Sequence, residues 1–171
     1  MQSSLLARVD EAAGRPDDAL EPLQRTLVLQ VEAGHRYGEG VTLNNLGEAY
    51  LDLGRLDEAV ASIQAARQIF TEVKTLRGEG YAAHNLGRAY LGLGRSGEAV
   101  TFFGQALDIR QRSGDRYNQA MTLLYLGRAQ RRVGDVTNAR KSWTDALSIF
   151  TELDDQDEDG AVQVRSELAA T

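Results

Sequence analysis

The sequence has no cysteine and only two prolines, Pro16 and Pro22. Without cysteine there are no disulfides and no thiolate metal sites. This fits a reducing compartment, and a cytoplasmic location is expected. Both prolines lie near the start, so nothing breaks a long helix from residue 23 onward. The two histidines, His35 and His84, lie far apart, and no zinc ligand set can be assembled around them. No apolar run approaches the ~20 residues a membrane span requires. Met1 to Arg8 does not read as a signal peptide, because a charge arrives early and no apolar core follows. A net charge of −6 argues against nonspecific nucleic-acid binding. What is present, 171 residues with 42% hydrophobic and 26% charged content, suits one folded domain in water.

The chain is organised around a stretch that it says twice. Asn44 to Ala59 reads Asn-Asn-Leu-Gly-Glu-Ala-Tyr-Leu-Asp-Leu-Gly-Arg-Leu-Asp-Glu-Ala, and His84 to Arg95 nearly repeats it. Between 38–60 and 78–100, 15 of 23 positions are identical. Leu126-Gly127-Arg128-Ala129, Gly134 and Ala139 continue the pattern another forty residues on. A fixed period of this size marks a repeat architecture.

Within each period two helices are expected. Residues 2–13 carry Leu5, Leu6, Val9 and Ala12 at helical spacing, and Gly14 ends that element. Pro16 opens the next helix, with Asp17 and Asp18 in its first turn, and Gly34 closes it. Helices then follow near 36–53, 56–73, 76–93, 96–113, 116–133 and 136–152. Asp115 and Asp135 stand where N-caps are needed. The repeats are set at about 1–34, 35–74, 75–114 and 115–153. An acidic run over 152–159 precedes a short helix over 161–170, out of phase with the period. It reads as a cap for the exposed end of the array. The array starts inside a repeat, as a piece of a longer protein would.

Gly47, Gly87 and Gly127 fall mid-helix, where glycine costs ~1 kcal/mol against alanine. Its recurrence in three successive repeats predicts a steric need. The expectation is close approach of the paired helix, with Ala59, Ala99 and Ala139 as the matching small surface. Ile63, Phe103 and Trp143 are expected to fill the space between repeats.

Leu46, Gly47, Tyr50, Gly54, Ala59, Ile63 and Ala66 form the pattern of the tetratricopeptide repeat, which the chain resembles over roughly residues 5–152. Two departures stand out. Gln130 replaces the tyrosine in the fourth repeat, and Thr71, Gln111 and Thr151 stand in place of the family's terminal proline. The units are ~6 residues longer than the usual repeat. That variant is similar to the repeats of kinesin light chain and to the arrays of large actinobacterial antibiotic-regulatory proteins. The resemblance implies an all-α, right-handed solenoid of antiparallel helix pairs with a C-terminal capping helix. It also implies a concave groove lined by the first helix of each pair. The residues two before and two after the Leu-Gly leucine would face that groove: Asn44, His84 and Leu124, then Glu48, Arg88 and Arg128. Asn45, Asn85 and Tyr125 are adjacent, and Asp52 and Arg132 lie further along the same helices. Asparagines so placed suit an extended peptide's backbone, since one side chain both donates and accepts.

Nothing points to catalysis. Gly-Glu-Gly at 38–40 and 78–80 lacks the pattern and lysine of a phosphate loop. Glu48, Asp52, Asp57 and Glu58 read as helix surface. A non-enzymatic module without cofactor or metal is expected, binding a protein or extended peptide as the scaffold or sensor part of a larger regulator. Self-association as a homo-oligomer through exposed solenoid ends is the alternative. Direct nucleic-acid binding through Arg128, Arg131 and Arg132 is the least favoured reading.

Overall fold

The computed structural model describes residues 20–153 and 158–171. The helix expected over 2–13 and the centre of the acidic run lie outside them. Among the described residues there are eight helices and no strand. They are α1 (Leu20–Glu32), α2 (Arg36–Asp52), α3 (Leu56–Glu72), α4 (Leu76–Gly92), α5 (Ser96–Ser113), α6 (Arg116–Arg132), α7 (Val136–Glu152) and α8 (Glu158–Ala169). Each packs on its neighbours in sequence. The helices α2, α4, α6 and α8 also touch one another in series, forming an inner row. The result is an all-α solenoid. α8 stands where the inner helix of a further repeat would stand, against α7 and α6, and covers the end of the array.

The junctions explain the period. Within each pair a glycine at positive φ, Gly54, Gly94 or Gly134, turns the chain. The next residue's N–H then donates back into the preceding helix, as Arg55 does to the Tyr50 carbonyl at 2.8 Å. Between pairs, Gly34 and Gly114 take the same conformation, but Lys74 holds that place at φ 57°. Asp115 and Asp135 cap their helices as expected, accepting from the backbone N–H of Asn118 and Asn138. Thr75 does the same for α4 through the N–H of Gly78.

The mid-helix glycines admit the paired helix closely, as expected, but a large side chain and not only the small surface of the alanines fills each notch. A Cβ on Gly47 would lie 2.2 Å from Ile63 Cγ1. On Gly87 it would lie 2.6 Å from the Phe103 ring, and on Gly127 2.4 Å from Trp143 Nε1. Each glycine therefore receives the large side chain of its own pair. Ala59, Ala99 and Ala139 are fully buried beside these contacts. Ile63, Phe103 and Trp143 are likewise fully buried. The Trp143 indole N–H donates to the Leu124 carbonyl at 3.1 Å, which satisfies the one polar group of the ring.

Candidate functional site

The inner row carries a column of charge. Glu48 on α2, Arg88 on α4, Arg128 on α6 and Glu167 on α8 succeed one another about one period apart. Arg88 Nη1 donates to Glu48 at 3.0 Å and Nη2 to Asp52 at 3.4 Å. Arg128 Nε donates to Glu167 at 2.6 Å, and its Nη2 donates to Gln163 at 3.1 Å. Arg131 joins Glu167 at 2.9 Å. Between the two ion pairs lies the ring of Tyr125. The Arg88 and Arg128 guanidinium carbons sit 5.9 and 5.0 Å from its centroid, within cation–π range. The order is thus acid, base, ring, base, acid.

Around this column opens a cleft of about 470 Å³, walled by Arg88, Tyr125, Arg128, Arg131, Arg132 and Glu167 over an apolar floor that includes Leu56 and Leu91. Among the described residues that line it are four arginines and the carboxylate of Glu167, and Arg88 is paired with Glu48 and Asp52 at its edge. Arg132 Nη1 also donates to the Leu91 carbonyl at 2.9 Å, placing a cation at the C-terminal end of α4, where the helix dipole favours it. A second recess of about 290 Å³ lies one repeat earlier, lined by Tyr37, Asn44, Asn45, Glu48, Phe70 and Tyr81 among others. Glu48 borders this recess and its partner Arg88 borders the cleft, so the Glu48–Arg88 pair separates the two.

The sequence-derived positions divide by exposure. Asn45, Glu48, Asp52 and Arg132 are exposed, and Arg88, Tyr125 and Arg128 are half-buried. Leu124 is fully buried and belongs to the core. Asn44 and Asn85 are buried too, and Asn85 Nδ2 donates to Asn44 Oδ1 at 3.4 Å. The two side chains thus bond to each other inside the inner row. His84 is half-buried between the rings of Phe103 and Tyr125, 5.4 Å from each centroid. The Thr122 hydroxyl donates to the Asn118 carbonyl at 2.8 Å, so it accepts from His84 Nδ1 at 3.2 Å. The neutral ring therefore carries its proton on Nδ1. Burial, then the charges of Arg110 and Arg88, hold its pKa well below the ordinary value. Glu167 is a groove residue that the repeat pattern does not reveal. Its sequence signal is its place 39 residues after Arg128, one short of the period.

The chemistry on offer is recognition of negative charge beside apolar surface. Among the described residues no three His, Cys, Asp or Glu side chains gather as metal ligands. None of the described helices is long and apolar enough to cross a membrane.

Comparisons with known proteins agree with this architecture. Family profiles for the tetratricopeptide repeat match residues 38–112 and 3–25, together more than half of the chain. The structure is similar to that of putative kinesin light chain nearly identical TPR-like repeats from Podosopora anserina. The TM-score is 0.75 at 22% identity, over 96% of this chain and 81% of that one. It is similar to BtubC (BKLC) from P. vanneervenii, with TM-score 0.73 and 24% identity over 91% of this chain and 65% of that one. It is also similar to the TPR domain of Arabidopsis FLU, with TM-score 0.65 and 18% identity over 68% and 98%. No curated protein matches the sequence. With the Leu-Gly-x-x-Tyr units, the paired helices and the matching profiles together, the chain belongs to the tetratricopeptide-repeat family and forms an array like those of kinesin light chain.

Proposed function

We propose that the inner groove binds an extended, acidic segment of another protein, as the scaffold or sensor part of a larger cytoplasmic regulator. Arrays of this repeat generally bind protein partners. The observation that carries the reading is the cleft lined by Arg88, Arg128, Arg131 and Arg132, four arginines against the three carboxylates Glu48, Asp52 and Glu167, in a chain whose net charge is −6. Such a local excess of guanidinium favours carboxylates, which it pairs with bidentately. Asn45, exposed at the neighbouring recess, supplies a donor and an acceptor for the partner's main chain. Complementary charge would act more on association rate and specificity than on raw affinity.

The test is capture of partners, or binding to a peptide array, by the parent beside Arg88→Glu and Arg128→Glu. Both variants should keep the parent's helical circular dichroism and lose acidic ligands. Equal binding by parent and variants would overturn the groove reading. Association through the solenoid ends would then take its place.

A further inference from the structure

We infer that α8 is an internal ligand of the arginine cleft, and that Glu167 must leave its arginines before an acidic partner can engage them. This rests on the groove reading above and adds the regulation of the same site.

Three observations converge on Glu167. Among the described residues it is the one carboxylate that lines the cleft. It is held by two arginines, Arg128 at 2.6 Å and Arg131 at 2.9 Å, and its side chain is only 14% exposed. Gln163, one turn earlier on α8, accepts from Nη2 of Arg128, so α8 occupies the Nε–Nη2 edge of that guanidinium. A carboxylate arriving from outside would find the Nε–Nη2 edge of Arg128 already occupied by α8. Its binding is therefore an exchange of one carboxylate for another.

The hold of α8 on the array is also small. Among its described side chains the buried residues are Gly160, Ala161 and Val164, Leu168 packs partly buried on the same core, and Val162 points to solvent at 56% exposure. The inner helix α4 buries ten residues, among them Leu86, Tyr90 and Leu91. An element with few buried apolar contacts sits at the low end of local stability. The Glu167 pairs are thus a large part of what seats α8, and a partner that takes Arg128 and Arg131 removes them. By linkage, partner binding and α8 docking then oppose each other to the same degree.

The experiment uses the full chain and a fluorescein-labelled hexaglutamate peptide at low ionic strength. Binding is read by anisotropy for the parent, Glu167→Gln and Arg128→Glu. Glu167→Gln keeps the side-chain shape and removes the competing charge. It should bind about tenfold more tightly than the parent, since removing an occluded population raises apparent affinity in proportion. Arg128→Glu should bind more weakly than the parent. In the parent, adding peptide should speed amide hydrogen exchange across Glu158–Ala169, a readout that needs no variant. If Glu167→Gln matches the parent, the peptide leaves α8 exchange unchanged and Arg128→Glu is still weak, the groove reading stands and the internal ligand is discarded. If Arg128→Glu binds as well as the parent, or if neither the parent nor Glu167→Gln binds, both readings fall.

Discussion

The guanidinium of Arg110 lies over the ring of Tyr81, 5.2 Å from its centroid, at a position where the flanking repeats bury Phe70 and Phe150. Arg110 is 4% exposed, and its Nε and Nη1 have no hydrogen-bond partner among the described residues. Burial lowers its pKa, against the opposing effects of Asp115 and Tyr81. The next helix has changed in step. Phe70 lies over Gly78, where a Cβ would stand 2.5 Å from the ring. One period later the place of Gly78 is held by Asn118, which donates to Oη of Tyr81, the ring under Arg110, at 3.3 Å. The junction between third and fourth repeats is thus a polar version of the aromatic–glycine contact between second and third.

That substitution pattern predicts a coupled pair. Arg110→Phe alone would set a ring against Asn118 and gain little. With Asn118→Gly added, the ring can sit as Phe70 does. The double variant should be more stable than the parent by about 1–3 kcal/mol, because a buried, incompletely bonded charge gives way to packed apolar surface. Urea denaturation of the parent, both single variants and the double variant measures the coupling, expected at ~1 kcal/mol or more. Strictly additive effects would mean that 110 and 118 do not share one contact.

Lys74 offers a simpler stability gain. It adopts φ 57° where Gly34 and Gly114 stand in the adjacent junctions. A side chain in the left-handed region crowds its own carbonyl, at a cost of roughly 1–2 kcal/mol. Lys74 is exposed, so few contacts are lost on its removal. Lys74→Gly should therefore stabilise the chain by about 0.5–1 kcal/mol after the extra entropy of glycine in the unfolded state. The expected readout is a thermal midpoint a few degrees higher. A lower midpoint would show that Lys74 makes a contact worth more than its strain.

Much of this molecule was legible from small residues at a fixed spacing. Gly47, Gly87 and Gly127 marked the helix crossings, and Gly54, Gly94 and Gly134 the turns, because each answers a local steric demand. The partner of a crossing was less legible. Ile63, Phe103 and Trp143 fill the glycine notches, and which side chain does so depends on helix rotation that a repeat pattern does not encode. The groove divided in the same way. The positions two after the leucine, Glu48, Arg88 and Arg128, form the charged column, whereas Asn44, His84 and Leu124 turn inward by differing amounts. Glu167 escaped notice because an ion pair across repeats is a tertiary fact, and α8 is one residue out of step.

Protonation of His84 gives the junction a pH dependence whose sign follows from its surroundings. The ring faces Phe103 on one side and Tyr125 on the other, with Thr122 on Nδ1 and the positive charges of Arg110 and Arg88 nearby. Desolvation and both arginines disfavour the imidazolium, so the folded-state pKa lies well below the ordinary 6.5. In the unfolded chain His84 titrates near that ordinary value. Below it the unfolded state therefore binds more protons than the native state, and stability must fall as pH falls. The contribution is fully present above about pH 7 and is lost progressively as pH drops through 6.5 toward the native pKa. The carboxylates whose pKa values are lowered, Glu58, Glu72 and Asp135, lose their contributions only at more acid pH, so the window from about pH 7 to 5 isolates the imidazole. His84→Gln keeps an amide donor for Thr122 and cannot take up the proton. The stability difference between parent and His84→Gln, followed by urea denaturation across that window, should move steadily in favour of the variant on acidification. A difference that stays constant from pH 7 to 5 would mean that His84 is as free to ionise in the folded chain as in the unfolded one.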